Sequence, residues 1–344
     1  MINRILCVTA ALTLLLTGCT FKKKDYKVPE APPFAALTEI KEGRKNIYLI
    51  VKNLDSSYWQ VVVNGAKQGG IDFDCNVYYS GSYTENDWKS QERLLDEARS
   101  AGADAVIMAP NDSVMLAEKI DEVYSDGIKM ILVDTIANTK SYDICYMTDN
   151  LIAGQKAAEE MLTRFKERGI PETEEAEVAI QVGARSSQTI SERLAGFLQY
   201  WTENAPPDWT VVKDIRCNEG DAEAAVDIAE DLIEDHRKKI KGVFGTNNGS
   251  TAGFAKVVMK KGLTDITVVG FDYSEDMAKL IGSEEYDAST MLQRQYQMSY
   301  IGVEKAMKLI NGDTVEEKFV DTGVMVVNKD TINDPEVQEL LKQN

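Results

Sequence analysis

The chain has 344 residues, enough for two domains of ordinary size after terminal segments are set aside. It carries 56 acidic against 38 basic residues, a formal net charge of −18, and such a surplus repels nucleic acid and anionic lipid alike. One histidine and five scattered cysteines leave almost nothing for serine–histidine catalysis, a histidine-bound metal or a disulfide framework.

Arg4 gives the N-terminus a positive charge, and Ile5 to Leu16 follow as an apolar run of about a dozen residues, short of the roughly 20 that span a membrane. The run ends in Leu16-Thr17-Gly18-Cys19, which resembles the lipobox of bacterial lipoproteins. In a lipobox the cysteine thiol is alkylated by a diacylglyceryl group, and small residues before it let the signal peptidase reach the bond. The alternative is an ordinary secretory signal with an incidental Cys19. Leucine three positions before the cysteine, the adjacent glycine and the charged stretch Lys22 to Lys24 favour the lipobox. Residues 1–18 are therefore expected to be a signal peptide, with Cys19 as the lipid anchor that holds an extracytoplasmic protein on the bacterial cell membrane. The polar segment 19–45, with Pro29, Pro32 and Pro33, reads as a flexible tether. Losing residues 1–18 leaves 37 basic against 56 acidic residues. Of the cysteines beyond Cys19, Cys75, Cys145 and Cys217 show neither a CxxC pair nor zinc spacing, and read as buried thiols.

From Asn46 onward, strand-length apolar runs alternate with segments of helical periodicity. The predicted strands are Asn46–Val51, Cys75–Tyr79, Asp104–Ala109, Lys129–Asp134, Val178–Val182, Thr210–Ile215, Gly242–Thr246 and Ile266–Phe271. Between them the spacing predicts helices such as Trp88–Ala101, Val114–Ser125, Ile152–Arg168, Ala222–Glu234 and Thr251–Lys260. Alternation of this kind means βαβ units and parallel sheets, so the fold class is α/β. Uninterrupted apolar strands such as Met130-Ile131-Leu132-Val133 fit sheets covered on both faces.

The chain also reads as two copies of one plan. Each half opens on an apolar strand and later reaches an apolar strand ending in aspartate, Val133-Asp134 in the first and Phe271-Asp272 in the second. In open α/β sheets ligands bind beyond the carboxyl ends of the strands, so two facing lobes would bring Asp134 and Asp272 toward one cleft. A lone aspartate there is more often a cap or turn residue; two at matching places point to a site.

No G-x-S-x-G elbow, H-E-x-x-H, Walker loop or G-x-G-x-x-G after a strand occurs. The one histidine, His236, sits in Glu234-Asp235-His236-Arg237-Lys238, a solvated helix face. Paired carboxylates would suit a glycosidase, but hydroxyl binding accounts for them equally. The expectation is a binding protein and not an enzyme, with no cofactor, no metal and no nucleic-acid partner.

An ordered set of short motifs is similar to the ribose-binding-protein-like family of solute-binding proteins. It opens with Ile47-Tyr48-Leu49-Ile50-Val51, Ser57-Tyr58-Trp59 and Asn64-Gly65-Ala66, then Gly102-Ala103-Asp104-Ala105-Val106-Ile107 and Pro110-Asn111-Asp112-Ser113. Val133-Asp134, Thr148-Asp149-Asn150, Arg193 with Gly196-Phe197, and Phe244-Gly245-Thr246-Asn247-Asn248 continue it. Val268-Val269-Gly270-Phe271-Asp272 and Gln293-Arg294-Gln295-Tyr296 complete it, so that it covers about Asn46 to Val327. Repressor ligand-binding domains share the fold, but here a lipobox stands in place of a DNA-binding headpiece.

The resemblance implies two Rossmann-like lobes with parallel sheets joined by a three-crossing hinge, the type 1 periplasmic binding protein fold. The crossings would fall near Asp149, Gln293 and Val320. The N-terminal lobe would then comprise 46–149 and 294–319, and the C-terminal lobe 150–293 and 320–344. It also implies capture of a small polar ligand, a monosaccharide, by hinge closure. Sugar C–H faces pack on aromatic rings while hydroxyls need polar partners in a dry cleft. Tyr58 and Trp59 would form the first-lobe aromatic wall, with core packing as the alternative. Asp134 and Asp272 would accept from hydroxyls, Arg193 would donate or act as a brace, Asn247 would do both, and Gln293 lies where the chain recrosses the hinge. Lys52 replaces a small polar residue, and either contacts the ligand, pairs with Asp134 or stays on the surface. Three further departures are Thr135 where arginine is common, Ala109 where asparagine is common, and no second-lobe aromatic near Asn218-Glu219-Gly220-Asp221. The partner implied is an ABC permease made of separate chains. A membrane sensor kinase or chemoreceptor uses the same closing cleft and is the alternative.

Overall fold

The computed structural model describes residues 29–343, so the expected signal peptide 1–18, the expected lipid anchor Cys19 and residues 20–28 lie outside the described residues. The first lobe opens with β1 (Ala35–Ala36), β2 (Asn46–Val51), α1 (Ser57–Asp72), β3 (Asn76–Gly81), α2 (Trp88–Ser100), β4 (Ala105–Met108), α3 (Ala117–Ser125), β5 (Lys129–Val133) and β6 (Ile144–Met147). The chain then crosses into α4 (Asn150–Glu167), β7 (Ala176–Val182), α5 (Gln188–Asn204), β8 (Trp209–Val211), β9 (Arg216–Cys217) and α6 (Ala222–Asp235). That second lobe continues through β10 (Ile240–Gly245), α7 (Asn248–Lys261), β11 (Thr267–Phe271), α8 (Glu275–Ile281) and β12 (Asp287–Gln293). A return to the first lobe places α9 (Gln295–Ile310) and β13 (Phe319–Asp321), and β14 (Val324–Val327) with α10 (Pro335–Leu341) closes the chain.

Two seven-stranded sheets result. The first runs β1-β3-β2-β4-β5-β6-β13 and is parallel except for β1; the second runs β14-β12-β11-β10-β7-β8, with β9 also on β7, and is parallel except for β14. Strand alternation decides which side chains face which helices. In the first sheet Ile47, Leu49, Ile107 and Ile131 pack with Val62 of α1 and Met298 of α9, while Tyr48, Ile50, Val106 and Leu132 pack with Leu94 of α2 and Ile120 of α3. In the second, Val178, Ile180 and Phe244 meet α4 and α5, and Ala179, Val243 and Val268 meet α6 and α7. Both faces of both sheets are covered, which is why these strands read as continuous apolar runs.

Three expectations are corrected. Residues 31–45 are not a free tether: Ala31 is buried, β1 pairs with β3, and the Ser80 hydroxyl donates to the Pro32 carbonyl at 2.6 Å. An edge strand with an open hydrogen-bonding row recruits this segment. The third crossing falls at Thr322-Gly323 instead of 319–320, because Phe319–Asp321 still pairs with β6 and Gly323 takes a φ of 78°. The strand expected at Thr210–Ile215 is two short pieces on β7, interrupted where Ile215 N–H turns back to the Lys213 carbonyl at 3.1 Å.

Helices α4 and α5 pack closely through two glycines. A Cβ on Gly154 would strike the Arg193 carbonyl oxygen, and one on Gly196 would strike that of Leu151. Both partners are backbone, so neither can step aside. Gly154→Ala is expected to cost about 1–3 kcal/mol, the usual range for overpacking, measured as a lower denaturation midpoint; an unchanged midpoint would show that the helices separate freely.

Candidate functional site

The carboxyl ends of the two sheets face one another. At each, an aspartate follows the strand in the left-handed region, Asp134 at φ 63° after β5 and Asp272 at φ 70° after β11. Short polar side chains tolerate that conformation better than others do. Each aspartate N–H is held by the neighbouring strand, Asp134 donating to the Tyr146 carbonyl at 2.9 Å and Asp272 to that of Met291 at 3.0 Å. The doubled plan of the sequence thus appears as one backbone device used twice.

The surroundings of the two carboxylates differ. Lys52, at the end of β2, is 4% exposed and its ammonium lies 3.1 Å from Asp134 Oδ2 and 2.5 Å from Thr135 Oγ1. The Tyr58 hydroxyl donates to Asp134 Oδ1 at 2.7 Å, and the Thr135 hydroxyl donates to Oδ2 at 2.6 Å. Burial works to raise the Asp134 carboxyl, but Lys52, Arg193 and the two hydroxyls together hold it below the usual range. Lys52 is therefore no surface lysine; it pairs with Asp134.

Asp272 has no such cation beside it. Its Oδ1 accepts from Gln293 Nε2 at 2.9 Å, and among the described residues it makes no ion pair within 4 Å. Burial dominates and pushes its carboxyl up to about 6, with Arg193 and Gln293 pulling down and the charges of Asp134 and Glu85 pushing further up. Arg193, on α5, lies 3.9 Å above the Phe271 ring. It donates to Asn150 Oδ1 at 2.8 Å, the Thr246 carbonyl at 2.9 Å and Gln293 Oε1 at 2.9 Å. Asn150 and Gln293 stand at the first and second crossings, so this guanidinium ties two crossings of the hinge together.

Tyr58 and Trp59, both buried on the first turn of α1, meet edge to face at 4.9 Å, and Lys52 lies 5.7 Å from the Trp59 ring. Asn247 caps α7 by accepting from Ser250 N–H at 3.1 Å. All eight residues singled out from the sequence line one cavity between the lobes, together with Glu85, Thr189, Ile190 and Asn248. It holds about 20 Å³, room for a water molecule.

This geometry, two Rossmann-like lobes meeting at paired strand-end aspartates, agrees with what comparison shows. The sequence pattern of the periplasmic binding protein domain matches residues 47–314. The chain belongs to the periplasmic binding protein family. Within it the chain is of the ribose-binding-protein-like, type 1 kind. It is 22% identical over 316 residues to the ribose import binding protein RbsB of Bacillus subtilis (strain 168), covering 90% of this chain and 95% of that one. The D-allose-binding periplasmic protein of Escherichia coli (strain K12) is 23% identical, with 80% and 89% covered. Among solved structures, a carbohydrate transporter solute binding protein from Agrobacterium radiobacter in complex with D-arabinose superposes at a TM-score of 0.80 with 28% identity, covering 87% of this chain and 99% of that one. One from Agrobacterium vitis with bound D-fucose gives 0.77 and 26%, covering 85% and 98%.

Some residues of this periplasmic binding protein's cleft escaped the sequence reading. Glu85 follows β3 in a loop without periodicity, yet its carboxylate accepts across the cleft from Asn247 Nδ2 at 3.3 Å, and within its own lobe from Trp59 Nε1 at 3.5 Å. At Gly220, near where a second-lobe aromatic was missing, a side chain is excluded: a Cβ there would lie 2.9 Å from both the Cβ and the backbone nitrogen of Glu85. Ser187 and Thr189 reach across to Lys52 at 3.4 Å and to Thr135 at 2.7 Å. They could have been found: Ser187 starts α5 after the opening strand of the second half, as Ser56 starts α1 in the first.

Proposed function

We propose that this protein is an extracytoplasmic solute-binding lipoprotein that captures a monosaccharide-like ligand by closing its lobes, and delivers it to an ABC permease made of separate chains. The single observation that carries this is the polar cavity that two opposed lobes share, rimmed by Asp134 and Asp272 and walled by Tyr58 and Trp59. Its present volume of about 20 Å³ means that a sugar ring enters only when the lobes part. The carboxylates, Asn247 and Gln293 supply hydroxyl partners, and the aromatic rings supply a face for C–H groups. The D-arabinose and D-fucose bound by the Agrobacterium proteins support the same ligand class.

The test is fluorescence titration of the purified protein with pentoses, hexoses, polyols and nucleosides. Ligand should change the emission, and Trp59→Phe should remove most of that change. Trp201 and Trp209 are bonded within the second-lobe core, Trp201 Nε1 to the Trp209 carbonyl at 3.0 Å and Trp209 Nε1 to that of Pro171 at 3.2 Å. Trp88 sits on the outer helix α2 against the first-lobe core. A full signal surviving in Trp59→Phe would move the aromatic wall elsewhere, and no response to any sugar would sink the ligand class.

Membrane attachment through Cys19 rests on the lipobox alone. Diacylglyceryl thioether plus N-acylation supplies more than the single chain that binds only marginally. Cys19→Ser should therefore appear in the soluble fraction; retention at the parent level would remove the lipid anchor from the proposal.

A further inference from the structure

Beside the central cavity lies a larger one, about 260 Å³ against about 20 Å³. Tyr58, Asn248 and Asp272 line both, so these side chains divide two compartments of a single cleft. The walls of the larger compartment come from both lobes and from the hinge: Ser57 and Val61 on α1, Tyr273 and Ser274 beyond β11, Gln295 just past the second crossing, and Leu341 on α10.

Two features say what it would hold. First, the compartment persists while the lobes are in contact, with Lys52 reaching Ser187, Thr135 reaching Thr189 and Asn247 reaching Glu85 across the cleft. Closure around a single central ring would leave this volume to solvent. Secondly, the lining is mixed: hydroxyls and the carboxamides of Asn248 and Gln295 stand beside Val61 and Leu341, with Glu275 contributing the one charged side chain apart from the shared Asp272. No cation lines it, so a phosphate or carboxylate substituent would meet only negative charge. A neutral group with hydroxyls and an apolar face fits both walls.

We propose that the cleft is built for a two-unit saccharide, with one ring at the Asp134–Asp272 centre and the second in the compartment of Ser57, Val61, Tyr273, Ser274, Gln295 and Leu341. The glycosidic link would pass between Tyr58 and Asp272. This rests on the sugar-binding reading above and enlarges its ligand.

Ser57 is exposed at the start of α1, so Ser57→Trp fills the larger compartment without displacing core, and Ser57→Ala serves as a control that does not fill it. Calorimetric titration of the purified protein compares D-glucose, D-galactose and D-xylose with cellobiose, lactose and xylobiose. At least one disaccharide should bind tenfold or more tighter than its monosaccharide, equivalent to about 1.4 kcal/mol. Ser57→Trp should abolish that advantage while leaving monosaccharide affinity unchanged, and Ser57→Ala should retain it. Monosaccharides that bind as tightly as every disaccharide would overturn the two-unit site and leave the sugar-binding reading standing. So would a disaccharide advantage that survives Ser57→Trp. Failure of all six saccharides to bind would overturn the two-unit site, and the sugar-binding reading falls with it when no sugar of the fluorescence panel responds either.

Discussion

Lys52→Met is expected to destabilise the protein by about 3–5 kcal/mol near neutral pH, the usual cost of stranding one member of a buried ion pair. Lys52 and Asp134 are 4% and 5% exposed and 3.1 Å apart. Removing the ammonium leaves a buried carboxylate with two hydroxyl donors and only the more distant Arg193 for compensation. The pH dependence carries the sign. In the parent, Asp134 is held below its usual range, so the stability it contributes is present above the unfolded-state value of about 3.9 and is lost as pH falls through the lower folded value. In Lys52→Met, burial prevails and the carboxyl shifts upward, so the variant should regain stability as pH falls and the carboxyl protonates. Urea denaturation of parent and variant near pH 7.5 and near pH 5 measures this. A deficit that stays constant between the two would mean that the pair is not what holds Asp134. Adding Asp134→Asn to Lys52→Met should recover much of the loss, since no charge is then left stranded.

Asp272→Asn should do the reverse to stability and harm binding. The folded carboxyl sits at about 6 against a usual value of 3.8, so the folded state binds the proton more tightly than the unfolded chain does. Stability contributed by this group is fully present below about pH 4 and is lost as pH rises through 6. A carboxamide removes that loss, keeps an oxygen for Gln293 Nε2 and tolerates the φ of 70°. A gain of about 1–3 kcal/mol near pH 7.5 is expected, from roughly two pKa units at 1.36 kcal/mol each, together with a flatter stability profile between pH 4 and 7. Sugar affinity should fall about threefold to thirtyfold, because a charge-assisted hydrogen bond of roughly 1.5–3 kcal/mol becomes a neutral one of about 1 kcal/mol. In the parent, affinity should rise with pH through about 6; in Asp272→Asn it should not. Unchanged affinity in the variant would take Asp272 out of the ligand site, whatever the stability result.

The two aspartates show how a duplicated plan acquires different chemistry. Their backbones match to within a few degrees in φ, and each is tied to its neighbouring strand in the same way. One has a lysine and stays ionised. The other has an amide and the more distant Arg193, and is poised to titrate. The cavity between the lobes is thus lined by one carboxylate held ionised and one poised to titrate.

The alternation of apolar runs and helical segments was enough to determine two lobes of parallel sheet, because strands covered on both faces must be apolar throughout, as Tyr48-Leu49-Ile50-Val51 and Val178-Ala179-Ile180 are. Repetition also pointed to the meeting of Asp134 and Asp272 at one cavity, since matching strand ends in two facing α/β lobes are brought together. Local sequence could not decide the role of Lys52, which depended on a partner 82 positions away. Nor could it show that Arg193 binds Asn150 and Gln293 at two crossings, or that Glu85 stands opposite Asn247. The packing of residues 31–45 onto the first sheet was equally hidden, because a two-residue segment such as Ala35–Ala36 becomes a strand only when an open edge is beside it. Each of these rests on distance in space between groups remote in the chain, and charge, burial and hydrogen bonding act over that distance alone.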